Sequence, residues 1–342
     1  MKEEQILVTG GAGYIGSHAV KLLLQKGYNV IVIDNLVYGH RQALPENVIL
    51  VQGDIGDKTI TRKIFNEYNI KAVLHFAAYA YVGESVSSPA KYYQNNLAAS
   101  LNLLDVMMDC GCYNLIFSST CASYGNPVYV PIDENHPQSP INPYGQSKLM
   151  LEKIIMDYNK AYKLNYVFLR YFNASGASAD GSIGEDHNPE THLIPLIIDA
   201  VKGVRKNVTV FGTDYDTPDG TCIRDYIHVT DLAQAHILAL NHLENNKESI
   251  ACNLGTGKGW SVNEVIRSVE TVTGLKVPVV YGTRREGDPP QLVANPTLAK
   301  SILGWEAKFK SIDDIITTAW KWHNNEKNGK YELLTEKNNL VL

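Results

Sequence analysis

No apolar run in this chain approaches the roughly 20 residues that a bilayer-spanning helix needs, so no membrane segment is expected. The start, Met1-Lys2-Glu3-Glu4-Gln5, passes directly into the strand-like Ile6-Leu7-Val8 without an apolar h-region and cleavage site, which argues against a secretory signal. Excess positive charge is absent too. Lys and Arg number 31 against 36 Asp and Glu, a net charge of -5, which gives no ground for a nucleic-acid or anionic-membrane partner. Cysteine is sparse: five, at 110, 112, 121, 222 and 252, odd in number and without zinc spacing. Reduced thiols in the cytoplasm are therefore expected, with neither a disulfide framework nor a metal. The sequons at Asn173 and Asn207 then carry no meaning. Neither a fixed-period repeat nor a low-complexity tract is present. What remains is 342 residues, 44% hydrophobic and 20% charged, the balance of a globular protein with ample chain for a core.

In the first half, short apolar runs alternate with helical patterns. Residues 6–9, 30–34, 48–52, 72–77, 115–118 and 167–171 read as buried strands, and 18–25, 60–68, 92–108 and 148–162 as helices. That alternation implies βαβ units and a parallel, doubly wound α/β sheet with right-handed crossovers. From about Ser175 the texture changes: 176–190 is rich in Gly, Ser, Asp and Asn and reads as a long, functional loop. Shorter helical and strand-like pieces follow at 192–204, 208–211, 229–243, 261–273, 277–281 and 312–322. The expected division is a Rossmann-type domain over 1–175 and a smaller α/β substrate domain, mainly 176–342, laid over the carboxyl edge of the sheet. Some of its segments are free to return to the first domain. Ligands of open α/β folds bind at that edge.

Gly10-Gly11-Ala12-Gly13-Tyr14-Ile15-Gly16 follows the first strand and opens a helix. Glycines there allow a tight turn and a close approach of backbone to a pyrophosphate. The spacing is G-x-x-G-x-x-G, and context strengthens it: the second strand ends at Asp34, where an acid accepts ribose hydroxyls and repels a 2′-phosphate. NAD is therefore favoured over NADP. Asp54 reads equally as a turn residue in Gly53-Asp54-Ile55-Gly56 or as facing the adenine. Phe76, Ala77 and Ala78 end a strand in small residues, which suits a flat cofactor, whereas His75 reads as a packed core histidine. Tyr144 and Lys148 stand four apart, one helical turn, after a Pro143 suited to a helix start. A phenol titrates near about 10, and a neighbouring ammonium brings that down toward use as a base. Alone, Y-x-x-x-K is a loose pattern common on ordinary helix surfaces. Phe117-Ser118-Ser119-Thr120 adds hydroxyls at the same sheet edge, able to bind a substrate alcohol and relay its proton to Tyr144.

These motifs together resemble the extended short-chain dehydrogenase/reductase family, and within it the UDP-sugar 4-epimerases, over nearly the whole chain. Further residues carry the resemblance: Asp34-Asn35-Leu36, Asn95-Asn96, Tyr124-Gly125, Arg170-Tyr171-Phe172-Asn173, Gly184-Glu185, and His192-Leu193-Ile194-Pro195. So do Asp219-Gly220-Thr221, Arg224-Asp225-Tyr226-Ile227-His228-Val229 and Arg284-Arg285-Glu286-Gly287-Asp288-Pro289. The resemblance implies interconversion of UDP-galactose and UDP-glucose through a bound 4-keto sugar, in galactose metabolism. Thr120, Tyr144 and Lys148 would be catalytic. NAD would be lined by Gly10, Gly13, Tyr14, Ile15, Gly16, Asp34, Asn35, Leu36, Gly39, Asp54, Ile55, Phe76, Ala77, Ala78, Ala80, Asn95 and Phe172, together with the catalytic residues. The UDP-sugar would meet Thr120, Tyr144, Asn173, His192, Leu193, Thr209, Phe211, Arg224, Tyr226, Arg285, Asp288 and Leu292, with Arg224 and Arg285 on the diphosphate.

The chain departs from the family pattern at three places. Thr120 stands where serine is usual, Ala80 where some relatives carry a lysine on the nicotinamide ribose, and His192 where asparagine is frequent. Related 4,6-dehydratases carry an Asp-Glu pair directly after the threonine; here Cys121-Ala122 follows, which argues against dehydration. A non-catalytic NAD-binding protein and a dehydrogenase that releases NADH stay open as rivals. Leu292 occupies the position where a bulky residue excludes N-acetylated sugars, and its intermediate size leaves UDP-GlcNAc, UDP-GalNAc and pentose substrates such as UDP-xylose and UDP-arabinose open. Apolar faces on 92–108 (Leu97, Leu101, Leu104, Met108) and 148–162 (Leu151, Ile155, Tyr158, Tyr162) suit packing onto the sheet. The family resemblance implies instead a four-helix homodimer interface there.

Overall fold

The computed structural model describes residues 3–246, 248–285 and 288–331. Runs of aliphatic and β-branched residues form β1 (Glu4–Thr9), β2 (Asn29–Asp34), β3 (Ile49–Gln52), β4 (Asn69–His75), β5 (Asn114–Thr120) and β6 (Asn165–Tyr171). A further strand, Ile250–Leu254, joins from far along the chain. The order across this sheet is 250–254, β6, β5, β4, β1, β2, β3, and every pairing is parallel. Strand order reverses beside β1, and the crevice at its carboxyl end is where such folds bind ligands. Both faces are covered, which explains why strands such as Asn-Val-Ile-Val-Ile-Asp of β2 are apolar almost throughout. On one face Val8, Val20, Leu23, Val32, Leu232 and Leu240 share a core with the helices Tyr14–Gln25 and Val229–Asn246. On the other, Leu7, Ile31, Leu103, Met107, Leu151 and Ile155 pack under the helices Lys58–Glu67, Ala99–Asp109 and Pro143–Tyr162.

Three details differ from the sequence reading. β4 stops at His75, so Phe76–Ala78 leave the sheet as irregular chain. The helical pattern over 92–108 is broken into the short helix Pro89–Tyr92, a π-helical turn Tyr93–Ala98 and the helix Ala99–Asp109. The edge strand Ile250–Leu254, Ile-Ala-Cys-Asn-Leu, has no counterpart in that reading, because its small and polar residues lack a strand's apolar signature.

A second core lies beyond the sheet edge. Ile194, Ile197, Val210, Val265, Val269, Ile315 and Ile316 join the helices Leu193–Val201, Val262–Thr273 and Ile312–His323. The parallel strands Val208–Phe211 and Val279–Gly282 flank it. The chain passes into this unit at Phe172-Asn173, where β6 ends and Asn173–Ser175 pairs with Tyr226–His228. It then returns: Val229–Asn246 lies on the first helix, with Tyr28 Oη donating to Asn241 Oδ1 at 2.7 Å. Asp225, fully buried, ties the strands together by accepting from Thr256 N, Gly257 N and Ala294 N at 2.8, 3.1 and 3.2 Å.

Candidate active site

The glycine turn is built by close approach. Gly10 has φ +67°, and a Cβ there would lie 2.6 Å from Ala77 N; one on Gly16 would lie 2.2 Å from Gly10 O. Both positions therefore demand glycine. Gly13 opens the helix Tyr14–Gln25 with no side-chain cap, which leaves the first-turn amides of Tyr14 and Ile15 without a side-chain partner. Tyr14 turns its phenol away to donate to Gly176 O at 2.6 Å, and Ile15 packs against the core. Asp34 closes the turn from below, its carboxylate accepting from Ala12 N at 2.9 Å and Leu36 N at 2.8 Å. Burial raises its pKa above the usual carboxylate value, and the two amides oppose that rise. A Cβ on Gly39 would come within 2.8 Å of Asp34 Oδ1, so glycine there keeps the carboxylate accessible. Leu36 takes φ +59°, which turns the chain sharply past the acid.

Asp54 is an exposed turn residue: its Oδ1 accepts from Gly56 N at 2.7 Å, while Oδ2 faces Asn35 Nδ2 at 3.4 Å. The side chain of Ile55 is buried in the core beneath the sheet. Phe76, Ala77 and Ala78 are half-buried and Ala80 is exposed. Asn96, overlooked as a site residue, clamps this segment by accepting from Tyr79 N at 2.8 Å and donating to Tyr79 O at 3.0 Å. Asn95 donates to Asn96 Oδ1 at 3.0 Å from the same π-helical turn, a geometry that recurs at functional sites. His75 is the packed histidine anticipated, held by Thr9 Oγ1 at 2.6 Å and Ser100 Oγ at 2.9 Å, with its pKa lowered to about 3, mainly by burial. The glycine cradle, open helix start and buried acid fit a dinucleotide.

The helix Pro143–Tyr162 starts where its sequence says it should. Asn142 caps it by accepting from Gly145 N at 2.8 Å, and Pro143 occupies the first turn. Gly145 lets the helix touch the turn after β5: a Cβ there would lie 2.4 Å from Ala122 O. That contact brings Tyr144 to Thr120. Both are buried. Burial and the nearby Tyr171 raise the Tyr144 phenol's pKa, and a hydrogen bond with the Thr120 hydroxyl pulls it back. Lys148 Nζ donates to Ser118 O at 2.9 Å and sits 4.7 Å from the centre of the Phe117 ring. Burial pushes its pKa down to about 7. The expected lowering of the phenol by this ammonium is thus not seen; desolvation dominates among the protein's own groups.

One turn further along the same stripe, Glu152 was not anticipated. It receives Arg170 Nε at 2.9 Å, Arg170 Nη2 at 2.6 Å and Ser119 Oγ at 2.5 Å, all buried, and its charge supports the Lys148 ammonium. Arg170 also donates to Tyr124 Oη at 3.0 Å. The i, i+4, i+8 spacing of Tyr144, Lys148 and Glu152 was the available signal.

The residues read as sugar-facing fall into linked groups. Phe172 is buried with Tyr124, Ile132 and Ala294, and Leu292 packs against them. Asn173 N donates to Asp225 O at 2.9 Å. Arg224 donates to Ile223 O and Pro289 O, each at 2.9 Å, and lies 3.5 Å from Asp288 Oδ1. Its charge also reaches Cys121, directly after Thr120, whose thiol burial pushes up to about 12. Arg285, exposed, stacks its guanidinium 4.3 Å from the Phe211 ring, itself exposed. Tyr226 is buried, and burial raises its phenol. Thr209 is half-buried on the strand Val208–Phe211. Leu193 opens the helix Leu193–Val201, which has no side-chain cap. His192 is paired with acids, its Nδ1 lying 2.7 Å from Glu185 Oε1 and 2.9 Å from Glu190 Oε1. Burial would lower its imidazole; the two carboxylates reverse this and hold it well above the usual value. Glu286 and Gly287 of the Arg284–Pro289 motif lie outside the described residues.

Comparison with known proteins agrees with this geometry. The family model for the NAD dependent epimerase/dehydratase family matches residues 6–255. The UDP-glucose 4-epimerase of Lactobacillus helveticus is 50% identical over 325 residues, 95% of this chain and 98% of the relative. That of Streptococcus mutans is 49% identical over 326 residues, 95% of this chain and 98% of its own. Among solved structures, UDP-glucose 4-epimerase from Brucella ovis in complex with NAD superposes with a TM-score of 0.91 at 52% identity, covering 93% of this chain and 98% of that one. The Bifidobacterium longum enzyme in complex with NAD+ and UDP gives a TM-score of 0.90 at 41% identity, covering 95% and 100%. The chain belongs to the NAD-dependent epimerase/dehydratase family.

Proposed function

We infer that this chain is an NAD-dependent isomerase that interconverts UDP-galactose and UDP-glucose at C4 through a bound 4-keto sugar. The observation that carries the reading is the burial of Thr120, Tyr144 and Lys148 together at the same carboxyl edge of the sheet as the glycine turn. Tyr144 takes the proton of the C4 hydroxyl, with Thr120 in the hydrogen-bond path. Bound NAD would supply the hydride acceptor and donor at C4 and a positive charge that favours the phenolate, and would be regenerated in each turnover. Lys148 holds the nicotinamide ribose and adds its own charge. Asp34 receives the adenosine ribose, and the amides after Gly13 receive the pyrophosphate. Arg224 and Arg285 clamp the diphosphate while the sugar turns over between the two half-reactions. Asn173, Tyr226, Leu193 and Asp288 border the nucleotide and sugar. Elimination of water lacks its acid and base, because Cys121 is a neutral thiol at physiological pH and Ala122 has no functional group.

The test is Tyr144→Phe, assayed with UDP-galactose while bound NAD is measured by absorbance. Turnover is expected to fall by about 10³-fold with NAD retained; near-normal turnover sinks the assignment of the base. Turnover of the wild-type chain without added NAD separates epimerisation from net dehydrogenation.

A second reading concerns substrate breadth. Leu292 lies on the short strand Gln291–Leu292, half-buried against the Phe172 cluster, and is smaller than a tyrosine. A relative from Campylobacter jejuni, 38% identical, is a UDP-Glc/GlcNAc 4-epimerase. The Stenotrophomonas maltophila enzyme, 41% identical, was solved with formylated UDP-arabinopyranose. We extend the substrate range to UDP-GalNAc and pentose sugars, with Leu292→Tyr expected to cut N-acetylated turnover selectively in side-by-side assays.

We further propose a homodimer through the helices Ala99–Asp109 and Pro143–Tyr162. Leu104, Leu151 and Ile155 are corrected out of that interface, since they are buried in their own chain. Met150, Met156 and Tyr162 remain exposed, with Leu97, Leu101, Met108 and Tyr158 partly so. The cytoplasm is the proposed compartment. All five cysteines are free thiols, and no described helix is long and apolar enough to cross a membrane.

A further inference from the structure

The loop after Ser175 carries Glu185, His187, Glu190 and His192, and their ligand-type atoms all lie within 4.8 Å of one another. Neither histidine nor either acid has a place in the chemistry of proton and hydride transfer. Only one contact between side chains of the group closes as a hydrogen bond, His192 Nδ1 with Glu190 Oε1. His192 Nδ1 lies 2.7 Å from Glu185 Oε1 and 2.9 Å from Glu190 Oε1, yet a ring nitrogen carries one proton and serves one of them well. His187 Nδ1 lies 3.1 Å from Glu185 Oε1 and 3.8 Å from Glu190 Oε2. Two of these atoms, Glu185 Oε1 and His187 Nδ1, are buried with no hydrogen-bond partner. Glu185 is only 4% exposed, so its carboxylate is costly to leave in that state.

We propose that Glu185, His187, Glu190 and His192 form a binding site for one divalent first-row transition-metal ion of the zinc type. Two imidazoles with two carboxylates are a donor set that such ions take in preference to calcium or magnesium, which favour all-oxygen shells. The spacing is near that of a small ion: zinc ligands at about 2.0–2.2 Å in a tetrahedron stand about 3.3 Å from each other, against 2.7–3.8 Å for the imidazole–carboxylate pairs and up to 4.8 Å across the whole group. A dication satisfies Glu185 Oε1 and His187 Nδ1 together and removes the crowding at His192 Nδ1.

The loop is already fixed to receive it. Trp322 Nε1 donates to Glu185 O at 2.9 Å, His40 Nε2 is 3.0 Å from Asp186 O, and Tyr331 N donates to Asp186 Oδ2 at 2.9 Å. Glu190 Oε1 accepts the amides of Thr191 and His192 at 2.7 and 2.8 Å, which orients its carboxylate. Outer contacts of this kind preorganise a metal site. The His187 ring stands edge-on to Tyr14, 6.2 Å between centres, and to Tyr81, 6.0 Å. Tyr14 opens the cofactor helix, and Tyr81 shares an aromatic cluster with Tyr144. The ion would therefore brace the loop where it meets both the cofactor turn and the catalytic tyrosine, without touching the reacting atoms.

The experiment uses the chain as purified with its NAD, dialysed against chelator and titrated with Zn2+ by calorimetry and with Co2+ by visible absorption. One ion per chain is expected, with the intense visible band of low-coordinate Co2+ and a rise in the melting midpoint on adding Zn2+. His187→Gln and Glu190→Gln, each tested separately, are expected to weaken Zn2+ binding by about a hundredfold or more while melting like the metal-free wild type. Failure of the wild type to bind one equivalent overturns the site. Wild-type affinity in both variants overturns it equally, since the ion would then sit elsewhere.

Discussion

Gly145 shows how one missing side chain sets the approach of the two residues proposed as catalytic, Thr120 and Tyr144. A methyl group there meets Ala122 O at 2.4 Å, so the helix cannot keep both that side chain and its distance from Thr120. Gly145→Ala is expected to lower kcat by about a hundredfold, as misplacement of about 1 Å does, with a smaller effect on KM. Equal losses in both constants would mean that binding, not the Thr120–Tyr144 contact, was disturbed. Lys148 carries a pH dependence whose sign follows from its burial. Its pKa is depressed from 10.5 to about 7 in the folded chain, so between those values the unfolded chain holds more protons. Stability contributed by this residue therefore rises as pH increases from about 7 and is complete only above the unfolded value near about 10.4. Urea midpoints of the NAD-stripped chain should climb from pH 7 to pH 9, and Lys148→Met should flatten that climb. Parallel curves for the two proteins would refute it.

Among the elements, the helix Pro143–Tyr162 and β6 are joined by the buried Arg170–Glu152 pair. Removing one partner strands the other charge, so Arg170→Met should destabilise the fold by about 3–5 kcal/mol, read as a fall in melting midpoint. A change below about 1 kcal/mol would show the pair to be replaceable by packing. This pair also marks what the sequence does and does not disclose. The glycine turn, Asp34 and the Tyr144–Lys148 spacing are legible because each is made within a few consecutive residues. Arg170 and Glu152 stand 18 apart on different elements, and nothing local announces that they meet. Leu104, Leu151 and Ile155 show an apolar helix face plainly, yet periodicity does not say which neighbour covers it. The four metal-type side chains of 185–192 carry no recognisable ligand spacing, because their convergence depends on an irregular loop.

For the whole molecule, the return of Val229–Asn246 and Ile250–Leu254 to the first sheet matters more than the change of texture at Ser175. A fragment ending at residue 175 loses the cover over Val20 and Leu23 and leaves β6 as a bare edge. It is expected to be aggregated or unfolded by circular dichroism and limited proteolysis, whereas the full chain should melt in one cooperative step. A soluble, sharply melting fragment would show that the halves are independent after all. The boundary was hard to read because one of the returning pieces is a five-residue strand of small and polar residues. The junction at Phe172-Asn173 has a last implication. One residue, Phe172, belongs to the wall proposed for the cofactor and the next, Asn173, to the wall proposed for the sugar, at the step between strands of two different sheets. Such a splice works like a shared doorpost: residues proposed for both walls hang from one short stretch of backbone between two sheets.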